Sequence, residues 1–113
     1  MKLDKNTSYI VALSNPVAGK EEEYNRWYTD THLVEVVGVD GINSAQRFKL
    51  SPEQLREDQP YQYLALYELE AGKENTALEN FLEARSGFDM QPVIDLENAS
   101  VMIFRPITDV ING

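Results

Sequence analysis

Tyr61-Gln62-Tyr63-Leu64-Ala65-Leu66-Tyr67-Glu68-Leu69 alternates with a period of two. As a β-strand it carries Tyr61, Tyr63, Ala65, Tyr67 and Leu69 on one side and Leu64 and Leu66 on the other. Both sides are largely apolar, so this is a central strand of a sheet whose two faces are both covered. The neighbouring segments have to supply the covers. Upstream, residues 51–60 are polar and hold two prolines, which makes them a surface loop. Before that loop, residues 42–50 form another strand, with Ile42, Ser44, Gln46 and Phe48 pointing one way and Asn43, Ala45, Arg47 and Lys49 the other.

Further upstream, Tyr9-Ile10-Val11-Ala12-Leu13 is a short apolar strand closed by Asn15-Pro16 and Gly19. Glu21, Glu22 and Glu23 then open a helix, where negative charge complements the free amide groups of the first turn. That helix runs to about His32 and continues irregularly to Val37, until Gly38, Asp40 and Gly41 stop it. Downstream of the central strand, Thr76 and Glu79 stand at capping-box spacing, and Leu78, Phe81, Leu82 and Arg85 follow at helical offsets. Gly87 ends this second helix. A less regular stretch passes Pro92, and residues 99–107 supply the last strand around Val101, Ile103 and Phe104.

The order strand, helix, strand, strand, helix, strand is the split βαβ pattern of a ferredoxin-like α+β domain with a four-stranded antiparallel sheet. At 113 residues, without repeat or linker, positions 1–113 form a single domain. Two helices cover only one face of such a sheet. The other face, also apolar, calls for a second copy laid sheet to sheet, an isologous homodimer that closes a dimeric α/β barrel.

Composition narrows the function. Nineteen acidic against ten basic residues give a net charge of −9, which repels phosphate backbones and anionic lipid surfaces, so no nucleic-acid or membrane partner is expected. The absence of Cys removes disulfides, thiol catalysis and thiolate metal sites. One His cannot furnish a usual zinc site, no loop has calcium spacing, and there is neither a glycine-rich phosphate cradle nor a nucleophile elbow. No metal and no cofactor is expected. The first eight residues lack a signal-peptide core and no stretch reaches membrane-spanning length, which makes a cytoplasmic location the expectation.

The candidate site lies in Tyr24-Asn25-Arg26-Trp27-Tyr28-Thr29-Asp30-Thr31-His32-Leu33. On a helix, Tyr24, Tyr28 and His32 share a stripe and Trp27 stands one step round the same face. His32, the sole histidine, titrates near neutrality and so suits proton abstraction beside a carbonyl, or loss of water from a hydroxy-ketone. The plain alternative is a histidine packed at a helix end, hydrogen-bonded to a carbonyl and idle in function. Tyr24, Trp27 and Tyr28 are core by their spacing, with one or more facing a cavity. Tyr63 and Tyr67 either line the opposite wall or pack at a dimer interface. Arg47, a charge on a covered strand, needs an anionic partner, whether a ligand oxyanion or a carboxylate of the protein. Asn15 offers an amide to a ligand or simply starts its turn. Glu35, three residues beyond His32, is placed to orient the ring if the helix stays regular; the other option is a carboxylate from outside this helix.

The Asn15-Pro16-x-x-Gly19 turn, the Glu-rich helix start, Tyr24-Asn25-x-Trp27-Tyr28, Thr31-His32-Leu33, Val39-Asp40-Gly41-Ile42 and Ala45-Gln46-Arg47-Phe48 together resemble the EthD-like branch of the dimeric α/β barrel superfamily. The resemblance covers residues 9–50 by motif and the remainder by element order. Members of that branch often carry proline soon after the His-Leu pair and again before the glycine; Val34 and Asp40 stand there in this chain, which reshapes the helix end and the pocket mouth. The superfamily includes polyketide cyclases, muconolactone-type isomerases, cofactor-independent monooxygenases, dehydratases, haem-degrading enzymes and many proteins without assigned activity. The resemblance thus implies a fold and a ligand pocket and leaves the reaction open. The resulting expectation is a pocket for a small hydrophobic or aromatic ligand. His32 would be the acid/base of a cofactor-independent lyase, isomerase or cyclase acting on a small cyclic or polyketide-like carbonyl compound. Trp27 and Tyr28 would wall it, and Arg47 or Asn15 would stabilise an oxygen. A non-catalytic carrier of a hydrophobic metabolite and a cofactor-free monooxygenase are the rival readings.

Overall fold

The computed structural model describes residues 1–113 and realises the expected order of elements. Strand β1 (Tyr9–Ser14) leads to α1 (Glu21–Trp27), a π turn (Tyr28–His32) and α2 (Leu33–Val37). Strands β2 (Ile42–Lys49) and β3 (Tyr63–Leu69) follow, then α3 (Glu74–Ala84), two short 3₁₀ turns (Arg85–Gly87 and Leu96–Asn98) and β4 (Ser100–Phe104). The sheet has the order β2-β3-β1-β4 with every neighbouring pair antiparallel, which is the ferredoxin-like α+β fold. No helix is long and apolar enough to cross a membrane.

The alternation in β3 decides which residues face the helices. Tyr63, Ala65, Tyr67 and Leu69 are buried, while Leu64, Leu66 and Glu68 are half-buried on the outer face. Registered against them, Ile10, Ala12 and Ser14 of β1 face inward and Val11 and Leu13 outward. Burial of side chains the size of Leu69 or Val36, each about 1% exposed, contributes roughly 1.5–3 kcal/mol apiece to holding the helices on the sheet. Tyr61 precedes the strand and plays no part in this alternation.

Four details differ from the sequence expectation. The strict alternation of β2 fails because Asn43 is an extra residue: Ile42 pairs with Leu69 and Ser44 with the adjacent Glu68, a β-bulge. The bulge brings Ile42 onto the same inner face as Ala45 and Arg47, instead of opposite to them. The second helix starts at Glu74 after Lys73, with no side-chain cap, so Thr76 lies inside the first turn and makes no capping box with Glu79. Tyr63 and Tyr67 lie under the helices and not on the open sheet face, so they are not packing residues of a sheet-to-sheet interface. The long first helix is interrupted by the π turn, which adds a residue to one turn and rotates all that follows.

Candidate functional site

The π turn is what aims His32. A regular helix would stack side chains three and four apart; the wider turn brings Trp27 and His32, five apart, into parallel stacking, with ring centroids 4.9 Å apart and planes 18° from parallel. Tyr28 and Phe88 each meet the imidazole in a T-shaped, near-perpendicular contact, with ring centroids 5.0 Å and 5.8 Å away. The ring is thus held by aromatic contacts on three sides. Its Nδ1 is buried and has no hydrogen-bond partner. Burial holds the His32 pKa below the ordinary 6.5, partly opposed by the negative charge of Glu35. At neutral pH the ring is therefore mainly uncharged, with one nitrogen able to accept a proton and the other able to donate one.

Glu35 does not orient this ring. Both of its carboxylate oxygens accept from the Asp89 backbone N–H, at 3.1 Å each, while Trp27 Nε1 donates to the Asp89 carbonyl at 2.7 Å. One peptide segment is thereby tied to the first helical arm by two residues that flank His32 in sequence. No carboxylate lies within ion-pair distance of the imidazole; the five ion pairs of the chain are all exposed and involve other residues.

His32 also lines a cavity of about 560 Å³ between the inner face of β1 and β4, the π turn and α3. Sixteen of its nineteen lining residues are hydrophobic, and the remaining three are Ser14, His32 and Arg85. Tyr28 and Tyr67 reach it too, the Tyr67 hydroxyl donating to the Tyr28 oxygen at 3.3 Å. Burial pushes both phenols above their usual pKa, so they stay protonated at neutral pH and serve as hydrogen-bonding groups. A larger hollow, about 720 Å³, lies beneath the loop after β2, but Lys49, Ser51, Gln54, Glu57 and Gln62 line it and only one of its residues is hydrophobic. An apolar chamber with a few polar groups has the character of a ligand site; a hydrophilic groove at a loop does not.

The other sequence candidates surround this chamber without entering it. Trp27 is buried behind His32 as a support, and Tyr24, with no exposed surface, shares a 2.6 Å hydrogen bond with Ser14. Arg47 has no anionic partner at all. Its guanidinium donates to Asn25 O (3.3 Å), Asn25 Oδ1 (2.9 Å) and Thr29 Oγ1 (2.9 Å), and it lies over the rings of Tyr24, Tyr28 and Tyr63 at 4.5–5.3 Å. Neutral oxygens and aromatic faces satisfy the charge that a carboxylate was expected to meet. Tyr63 receives the Asn25 amide and donates to Glu21. Asn15 spends its side chain on backbone, donating to Pro60 O at 2.9 Å and accepting from Gln62 N–H at 2.8 Å. Its place is a clasp between the end of β1 and the start of β3.

Sequence reasoning overlooked the far wall: Phe81, Arg85, Phe88, Met90 and Ile94. Phe81 and Arg85 carry a sequence signal only in their helical offsets. The segment after α3 has no period to read, since isolated contacts hold it: Val17 N–H to Val93 O, Asp95 N–H to Asn15 O and a single bridge between Pro16 and Ile94.

No protein-family model and no curated protein matches the sequence. Solved structures do match in shape. A provisionally assigned monooxygenase from Shewanella loihica PV-4 superposes with a TM-score of 0.58 over 95% of this chain and 99% of its own, at 13% identity. An EthD family protein from Bacillus halodurans C-125 gives 0.54 over 89% and 99%, at 9% identity. A hypothetical protein of Arabidopsis thaliana gives 0.57 over 98% and 97%, at 17% identity. The likeness is one of fold. It agrees with the architecture read from the order of elements over nearly the whole chain, and identity this low leaves the chemistry to the side chains of the chain itself.

Proposed function

We propose that this protein binds a small, mostly apolar carbonyl compound in the 560 Å³ cavity and moves a proton on it through His32, without a cofactor. The observation that carries this reading is an uncharged imidazole on the wall of a chamber whose lining is otherwise almost wholly apolar. Desolvation keeps the ring in its basic form at neutral pH, ready to take a proton from carbon next to a carbonyl. Because Tyr67 donates to Tyr28, the Tyr28 proton is free to meet the developing enolate oxygen. Isomerisation, dehydration and cyclisation all begin with such a step.

The fold likeness to a provisionally assigned monooxygenase favours a second reading, in which the same histidine deprotonates a phenol or hydroquinone and the anion itself reacts with oxygen. Oxygen consumption during turnover separates it from the first. In either reading the partner is a second copy of the chain on the open sheet face, where Phe48 and Phe104 are exposed and Val11, Leu13, Leu64 and Leu66 are half-buried.

The test follows exchange of the α-protons of 2-tetralone in deuterated buffer by NMR. The protein accelerates exchange, and His32→Gln binds the ketone as well as wild type but loses roughly 10²–10⁴-fold of that rate. Saturation of the wild-type cavity with no exchange above buffer would reduce the protein to a carrier.

A further inference from the structure

We infer that the ligand of this cavity carries a carboxylate and that Arg85 binds it at the mouth; the inference rests on the cavity being the ligand site, as proposed above. Arg85 is the one permanently charged residue in a lining that is otherwise hydrophobic apart from Ser14 and His32. The Ser14 hydroxyl is engaged by Tyr24, so the polar features available to a ligand are the His32–Tyr28 pair inside and the guanidinium at the rim. Arg85 forms neither a salt bridge nor a side-chain hydrogen bond, in a chain with nineteen acidic residues. Five of the ten basic residues are paired with carboxylates, and Arg47 is enclosed by tyrosines and amide oxygens. Arg85 alone combines a free fork of donors with a place on the chamber wall.

Its backbone fixes it relative to the imidazole. Arg85 opens the 3₁₀ turn after α3, and its carbonyl accepts the Phe88 N–H at 3.2 Å. Phe88 in turn meets His32 in its T-shaped contact, and the next residue, Asp89, is held by Trp27 and Glu35. The backbone that carries Arg85 and the imidazole of His32 therefore belong to one braced unit, joined through Phe88 and Asp89. With a net charge of −9 over the whole molecule, an anion is repelled at long range, and a local planar fork that matches a carboxylate in two hydrogen bonds is what overcomes that repulsion. A monoanionic acid with its apolar body in the chamber meets each lining group with its chemical complement.

The experiment compares 2-naphthoate with 2-naphthamide, two probes of one shape that differ in charge, by isothermal titration calorimetry. Wild type favours the acid at least about tenfold, and the preference shrinks as salt is raised because the mouth is open to solvent. Arg85→Gln binds the amide unchanged and loses the preference; Arg85→Lys keeps part of it. Equal binding of acid and amide by wild type, with Arg85→Gln silent, overturns the role of Arg85 while leaving the cavity as the ligand site. A lower melting temperature of unliganded Arg85→Gln with an unchanged acid-to-amide ratio assigns the residue to the end of α3 alone and overturns the inference as well. Failure of both probes to bind removes the cavity reading and the inference together.

Discussion

At the scale of residues, the chemistry turns on how the imidazole is housed. His32 is flanked by Trp27, Tyr28 and Phe88, and Nδ1 is sealed from solvent without a partner. Its pKa in the folded protein lies below 6.5, with burial the leading cause. In the unfolded chain the ring titrates near its ordinary value, so between the two values the unfolded state holds more protons than the folded one. Stability must then rise with pH across that window; it is fully present above about 6.5 and is lost as the pH falls toward the folded value. Urea unfolding between about pH 5 and 8 reads this slope, and His32→Gln should flatten it. An imidazole Hε1 resonance with its midpoint at or above 6.5 in the folded protein would contradict the burial argument. The aromatic company of His32 was legible from Tyr24, Trp27, Tyr28 and His32 alone. The stacking of Trp27 on His32 was not, because spacings of three and four presuppose a regular helix and a π insertion has no residue signature in Tyr28–His32.

At the scale of elements, two single-residue irregularities set the site, and neither has a pattern to betray it. The π turn rotates His32 onto the chamber wall; the Asn43 bulge turns Arg47 inward, where it ties β2 to the helix through Asn25 and Thr29. One close approach was not readable: the sequence marks Gly41 only as a helix-stopping glycine, yet it adopts a φ of +98° where α3 crosses the start of β2. A Cβ there would lie 2.6 Å from the Cβ of Ala77, which is itself fully buried. Both the left-handed backbone and the contact oppose Gly41→Ala, and the two penalties together come to about 2–5 kcal/mol. Chemical denaturation should show that loss, and Gly72→Ala, also at positive φ but with nothing within 4 Å, should lose distinctly less. Equal losses at the two glycines would mean that backbone conformation, not the approach of α3, governs Gly41. The strands and both helical arms were legible because their periods are strong. The segment from Arg85 to Asn98 was not, since side chains and single backbone contacts organise it, and five of the nineteen residues of the chamber wall lie there.

At the scale of the whole molecule, the unresolved demand is the outer face of the sheet. The reading of β3 predicted apolar residues on both of its sides, and no helix covers one of them: the half-buried Leu64 and Leu66 stand beside Leu13 and Val11, with Phe48 and Phe104, at 43% and 56% exposure, on the flanking strands. A row of this kind on a monomer invites association, and a second copy related by a twofold axis satisfies both faces at once without further partners. Leu66 is the sensitive position, since it lies opposite Val11 of β1 on one side and Gln46 of β2 on the other, near the middle of the face. In light scattering coupled to size exclusion, the protein should elute near twice 12.9 kDa at micromolar concentration. Leu66→Arg should bring it to the monomer mass, because like charges would meet across the axis in a desolvated seam. Thr76→Arg, on the exposed surface of α3, should leave the dimer intact. Since the cavity lies on the opposite, helix-covered side of the sheet, the Leu66→Arg monomer should retain its ligand if it keeps its fold, which far-ultraviolet circular dichroism checks. A wild-type mass of 12.9 kDa at every concentration would mean that the helix-free face is simply tolerated in water and that the barrel-closing partner does not exist.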